Sequence, residues 1–316
     1  MRLATVLTPL NHENLTLAAQ CGVTDVTLRY PGPDLSLLQE EQQHVQAAGL
    51  KVCAIEGYLP IENLKLGNDQ RDADLAELTT LIKYMESARI PVLCYNFMAG
   101  TDWVRTDVAA PTRGGALTTR FYLPAAEQAV SLNSKSSPSS ATPLSAEQLW
   151  ENLNYMLTHI LPIAEQHNVT LAMHPDDPPL AEFQGKARIM NSVDNFERLI
   201  ESYSSPANKI CFCQGTFAEM GVDIPATIRR LGSHIAYVHF RDIIGTKEDF
   251  TETFHDDGHT DMVAAMSAYR EVGFNGPLRP DHVPQLIGEE TGEPGYTMLG
   301  RLFAYGYIRG LMQATE

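Results

Sequence analysis

A closed (β/α)8 barrel, a single α/β domain spanning residues 1–316, is the fold this sequence predicts. Three observations point to it. Eight short apolar runs recur along the chain, longer amphipathic runs alternate with them, and the last four apolar runs carry His, Cys, His and Asp at or one residue before their ends. Eight parallel strands alternating with helices is the number that closes such a barrel. A length of 316 residues suits one barrel with its own large core.

The strands are read, in order, at LATVL (3–7), DVTLR (25–29), KVCAIE (51–56), PVLCYN (91–96), TLAMH (170–174), KICFC (209–213), IAYVHF (235–240) and PLRPD (277–281). Helical periodicity is read at 34–48, 69–88, 146–167, 193–203, 224–231, 260–272 and 296–312. One segment breaks the rhythm, a long insertion at 97–145 after the fourth strand. Its end, SLNSKSSPSSATPLS, has the composition of a surface loop. Its earlier part carries Trp103, Phe121, Tyr122 and three arginines, which suits a lid or a subunit contact.

Composition excludes several classes of function. The chain has 23 basic and 39 acidic residues, a net charge of −16, which argues against nucleic acid and anionic membrane surfaces as partners. A small anionic substrate stays open, because it needs only a few local arginines. Five cysteines, an odd and sparse set, do not suggest a disulfide framework. No run reaches the roughly 20 apolar residues of a membrane span, and the N-terminus has no signal-like apolar core. The expectation is a cytoplasmic enzyme with reduced thiols.

Barrel enzymes carry their chemistry at the C-terminal ends of the strands. Strands five to eight carry His174, Cys213, His239 and Asp281 at their ends, His239 one residue before the last. A lone histidine there is more often a hydrogen-bonded rim residue, and a lone cysteine a small hydrophobe. Four consecutive strand ends delivering these types to one rim make a ligand set for a divalent transition metal. The thiolate turns the preference away from Mg²⁺ and Ca²⁺, leaving Mn²⁺, Fe²⁺, Co²⁺ or Zn²⁺. Cys211 shares a face with Cys213 by strand alternation. It lies deeper and reads as barrel filling. Arg105 and Arg241 are the candidates for binding a substrate carboxylate. Asp176 and Asp177 are candidates for substrate hydroxyls, His255 and His259 could line the substrate end, and Glu56 is a weaker polar candidate.

Seven motifs add a family resemblance: CYNFM and DWVRTD within 94–107, LWENL (149–153), MHPDDPP (173–179), VHFRD (238–242), DGHTDM (257–262), RPDH (279–282), and PGY with GR within 294–301. From about residue 91 onward the sequence resembles the UxuA-type D-mannonate dehydratases, within the xylose isomerase-like TIM barrels. The first ninety residues diverge: ATVLTPLNHENL stands where that family has an Arg-Trp-Tyr-Gly-like segment.

The resemblance implies Mn²⁺ or Fe²⁺ on His174, Cys213, His239 and Asp281, with His282 and Tyr296 in proton transfer. It implies removal of water from D-mannonate, a small sugar acid, to give 2-keto-3-deoxy-D-gluconate. It also implies a homo-oligomer, dimer or tetramer. Dehydration of another aldonate, or sugar isomerisation or epimerisation on the same barrel, are the alternatives. A non-catalytic sugar-binding barrel is a third, against which the complete ligand set argues.

Overall fold

The computed structural model describes residues 1–132 and 143–316. Residues 133–142, the middle of the stretch expected to be a surface loop, lie outside the described residues.

Eight parallel strands close the barrel: β1 (Arg2–Thr5), β2 (Asp25–Arg29), β3 (Lys51–Glu56), β4 (Val92–Tyr95), β5 (Thr170–Met173), β6 (Asn208–Cys213), β7 (Ile235–Phe240) and β8 (Pro277–Pro280). Closure comes from β1 pairing with β8, with Arg2 opposite Pro277 and Leu3 opposite Leu278. The barrel interior is filled by small side chains, among them Ala4, Cys53, Ala54, Cys94, Ala172 and Cys211, packed with Tyr237. Outside it, the larger core runs between strands and helices, with Leu28, Ile55, Leu93, Leu171, Phe212 and Leu278 from the strands. Both faces of the strands thus meet apolar environments, which is why the strands read as continuous apolar runs. Among the described residues no helix is long and apolar enough to cross a membrane.

The expected helices form within a residue or two of their expected bounds. The longest, Ala146–Gln166, starts in a capping box. Ser145 Oγ accepts from Gln148 N at 3.3 Å, and Gln148 Oε1 accepts from Ser145 N at 2.9 Å. Asp34 caps Leu35–Ala47 through the backbone N–H of Ser36 at 3.1 Å. The helix His12–Gln20 was not read from sequence. Its buried face is only Leu15 and Ala18, too little to give an apolar period. The last helix starts at Met298, so Tyr296 lies in the loop before it rather than at its first turn.

The earlier part of the insertion forms strands. Its strand Leu117–Tyr122 pairs with Asp107–Pro111 on one side and with Asp249–Glu252 on the other. The latter strand pairs with Ile243–Thr246. The insertion after β4 and the hairpin after β7 therefore form one four-stranded antiparallel sheet. Phe121 and Phe250 stack at its centre, 5.9 Å between centroids, over Val104, Leu180 and Ile243.

Candidate metal centre and active site

A cavity of about 210 Å³ opens where the barrel strands end. Its walls combine Arg29, Glu56, Cys94, His174, His239 and Asp281 from strand ends with Gly100 to Trp103 and Leu132 from the insertion, and with His282 and Tyr296 from the loop after β8.

His174, Cys213 and His239 each bring a ligand atom within 4.8 Å of the others. Strand register causes part of this, since Cys213 on β6 lies opposite His239 on β7. His174 extends β5 by one residue, its N–H bonded to Tyr95 O at 2.7 Å. Asp281 follows β8 directly, with its carboxylate 3.7 Å from Cys213 Sγ and 3.8 Å from His239 Nδ1. The imidazoles are oriented by their other nitrogens. His174 Nδ1 donates to Pro175 O at 2.7 Å, and although burial alone would lower the pKa of this imidazole, Cys213 outweighs it and raises it to about 9. His239 Nε2 donates to Glu56 Oε2 at 3.1 Å, which leaves Nδ1 facing Asp281. Carboxylate or carbonyl partners of this kind commonly orient metal-ligating histidines.

The charge state suits a cation. Burial alone would push the Cys213 thiol up, but Arg241, His174 and His239 outweigh it and hold the pKa well below the usual thiol range. Thr216 Oγ1 also donates to Cys213 Sγ, at 3.2 Å. For Asp281, the charges of His282, Arg279, His239 and Arg241 likewise overcome burial and hold the carboxylate ionised. Two imidazoles, a thiolate and a carboxylate converge here, and that donor set fits a divalent transition metal. Asp281 also accepts from Arg279 Nη1 at 2.8 Å and from Arg241 Nε at 2.9 Å, which fixes its rotamer.

Beside this set, His282, Trp103 and Tyr296 form an aromatic group. Trp103 stacks on His282 with centroids 4.1 Å apart, and its indole meets Tyr296 edge-on at 5.4 Å. His282 Nδ1 donates to Glu252 Oε1 at 2.6 Å. Burial pushes the Tyr296 phenol up, and Arg29 beside the ring opposes that shift.

The four residues expected to touch substrate do not line the cavity; each is buried elsewhere in the protein. Arg105 is fully buried and donates to Asp177 at 2.7 and 2.9 Å and to Glu252 at 2.6 Å. Arg241 is held by Asp281, Asp177, Glu219 and Thr216. Both guanidiniums thus serve carboxylates of the protein itself. Asp176 Oδ2 accepts from Met190 N at 2.7 Å within a buried turn. His255 packs against Phe240, and burial pushes its pKa down to about 4. Asp177 does reach the cavity wall.

Several residues were not legible beforehand. Glu252 comes from the rim hairpin, Glu219 from the short helix Gln214–Glu219 after β6, and Arg29 from the end of β2. Each looks in sequence like an ordinary solvated charge. The one available hint was position, since Arg29 and Glu56 are strand-final residues on the catalytic rim.

Fold and site together define a xylose isomerase-like TIM-barrel enzyme. The model of the D-mannonate dehydratase (UxuA) family matches residues 20–131 and 120–316, and the chain belongs to that family. The match thus reaches well into the first ninety residues, which the motifs alone did not. A mannonate dehydratase of Streptococcus agalactiae serotype V is 33% identical over 299 residues, covering 88% of this chain and 85% of the relative. The crystal structure of mannonate dehydratase from Streptococcus suis serotype 2 superposes with a TM-score of 0.89 at 30% identity, over 100% of this chain and 95% of that one. An L-ribulose 3-epimerase structure, 16% identical with a TM-score of 0.65 over 99% of this chain and 95% of its own, shares the fold.

Proposed function

We propose that this enzyme removes water from D-mannonate to give 2-keto-3-deoxy-D-gluconate, with Mn²⁺ or Fe²⁺ held by His174, Cys213, His239 and Asp281. The observation that carries the reading is the placement of His282, stacked on Trp103 and bonded to Glu252, in the cavity that His174, His239 and Asp281 also line. Membership of the D-mannonate dehydratase family supports it.

When bound, the ion supplies Lewis-acid stabilisation of the negative charge that builds on the substrate carboxylate as the neighbouring proton leaves. The chain supplies the proton movements. His282 has its Nδ1 proton committed to Glu252, so Nε2 is the atom that takes the C2 proton. Tyr296 is kept protonated by burial and gives its phenolic proton to the departing 3-hydroxyl, which leaves as water. The C2 bonding pair becomes the C2–C3 double bond as the C3–O bond breaks, and the enol relaxes to the 2-keto acid. Trp103 fixes the plane of His282 and excludes water from its face.

The test is direct. Purified, Mn²⁺-loaded protein is incubated with D-mannonate and assayed for a 2-keto-3-deoxy acid. Formation of that product is expected, and its absence sinks the assignment. The divergent first-strand sequence, ATVLTPLNHENL, favours a second reading in which another aldonate is the substrate. A panel of hexonates and pentonates in the same assay separates the two.

A further inference from the structure

A sugar acid has one negative charge, its carboxylate, and the cavity must meet it. Among the described residues, Arg29, Lys65 and Arg279 are the lysine and arginine side chains that line the cavity. Arg279 is committed: it donates to Glu56, Asp281, Tyr237 and the carbonyl of Pro280. Lys65 donates to Asn96 Oδ1 and Met98 O, both at 3.1 Å, with Glu62 at 3.6 Å. Arg105 and Arg241, behind the wall, are consumed by carboxylates of the protein. The end of β1 contributes no cation, since Val6 and Leu7 are buried apolar residues.

Arg29 differs from Lys65 and Arg279, the other cations of the cavity wall, and from Arg241, whose one unbonded nitrogen still lies 3.5 Å from Glu252. Its Nη2 is buried without a hydrogen-bond partner among the described residues. Aromatic contacts set its position. The guanidinium carbon lies 4.8 Å from the Tyr296 ring centroid and 5.3 Å from that of Tyr58. Gly57 leaves the passage open, since a Cβ there would come within 3.3 Å of Arg29 Nη1. Rings against a guanidinium occupy its faces and leave its N–H edge available, and that edge matches a carboxylate in bidentate fashion. A buried donor left unmatched is costly, so the arrangement is built for an acceptor that arrives with the ligand.

We propose that Arg29 is the carboxylate-binding group of this cavity, taking the carboxylate of an aldonate through its guanidinium edge. The class of ligand rests on the dehydratase reading above. The assignment also puts substrate recognition on β2 in a chain whose β1 end is apolar.

The experiment measures equilibrium binding by calorimetry on Mn²⁺-loaded protein, with D-mannonate, a panel of other hexonates and the neutral D-mannitol. Arg29→Met keeps the bulk of the side chain and removes the fork. It is expected to weaken hexonate binding by about 10- to 100-fold, in line with loss of a charge-assisted bidentate contact, and to leave D-mannitol binding unchanged. Arg29→Lys keeps the charge but not the fork and is expected to fall between Arg29→Met and wild type. Equal metal content and equal near-ultraviolet circular dichroism establish that both variants are folded. Hexonate binding by Arg29→Met equal to that of wild type overturns the proposal, and so does a wild type that binds no hexonate. Wild-type protein that binds a hexonate through Arg29 yet forms no keto-deoxy acid from D-mannonate leaves the proposal standing and removes the dehydratase reading instead.

Discussion

His282 gives its Nδ1 proton to Glu252 across 2.6 Å, and Glu252 accepts from Arg105 through the same oxygen. The histidine comes from the loop after β8, the glutamate from the hairpin after β7 and the arginine from the insertion after β4. Three separate loops thus set the tautomer of one imidazole. Glu252→Gln removes the charge that holds this arrangement. A fall in kcat of about 10- to 100-fold is expected, the size usual for a group that orients a functional residue, with KM little changed. Steady-state kinetics at fixed metal loading check it.

Glu252 also makes a pH-dependent contribution to stability. Burial would raise its pKa, but His282, Arg105 and Arg241 together hold it well below the ordinary value of 4.5. A carboxylate depressed on folding stabilises the protein above its unfolded pKa and loses that contribution as pH falls. Wild type is therefore expected to lose thermal stability more steeply below about pH 5 than Glu252→Gln does. Melting temperatures measured across the acid range decide this, and parallel curves for the two proteins would refute it.

Gly215 makes room for Arg241. A Cβ at this position would lie 2.7 Å from both Cγ and Cζ of the arginine, which is fully buried and cannot swing away. Gly215→Ala is expected to displace Arg241 from Asp281, costing about 1–3 kcal/mol by overpacking and weakening metal retention. Denaturant unfolding and metal analysis after dialysis measure the two effects separately.

The donor set itself predicts one transition-metal ion per chain. His174→Ala and Cys213→Ala are each expected to lose that ion, whereas Cys211→Ala, at a residue deeper in the barrel that lies with Cys94 and His239, retains it. Elemental analysis of the purified proteins is sufficient. Retention of a full equivalent by Cys213→Ala would show that the thiolate is not a ligand.

Trp103 is one of two tryptophans, the other being Trp150. Trp150→Phe therefore leaves a single indole, stacked on His282 inside the cavity wall. Its fluorescence is expected to change on aldonate binding. Trp103→Leu, in turn, is expected to lower kcat by about 3- to 10-fold, since such a ring contact is worth about 0.5–1.5 kcal/mol.

The rim residues were legible where strand periodicity reaches. His174, Cys213, His239 and Asp281 stand at or just past the ends of consecutive strands, and a parallel barrel leaves such residues little choice of direction. Substrate binding and an internal ion pair could not be told apart for Arg105 and Arg241, because sequence displays a charge but not what faces it. Arg105 meets Asp177 and Glu252, which are 72 and 147 residues away. Arg29 escaped notice for the opposite reason, because a charged residue closing a strand resembles any solvated end. The insertion looked loop-like because its stabilising partner, Asp249–Glu252, is remote and leaves no local pattern.

That remote pairing has a consequence for how the molecule is made. Phe121 leaves the ribosome well before Phe250, its register partner in the rim sheet. A chain grows from its N-terminus, and contacts so distant in sequence form late. Until Asp249–Glu252 has been synthesised, the strand Leu117–Tyr122 has an open edge and Arg105 has only part of its anchorage. A nascent chain halted before residue 249 would carry the first two metal-binding positions, His174 and Cys213, together with His239, while its rim lacked closure. Completion of the catalytic rim is thereby tied to the last quarter of translation.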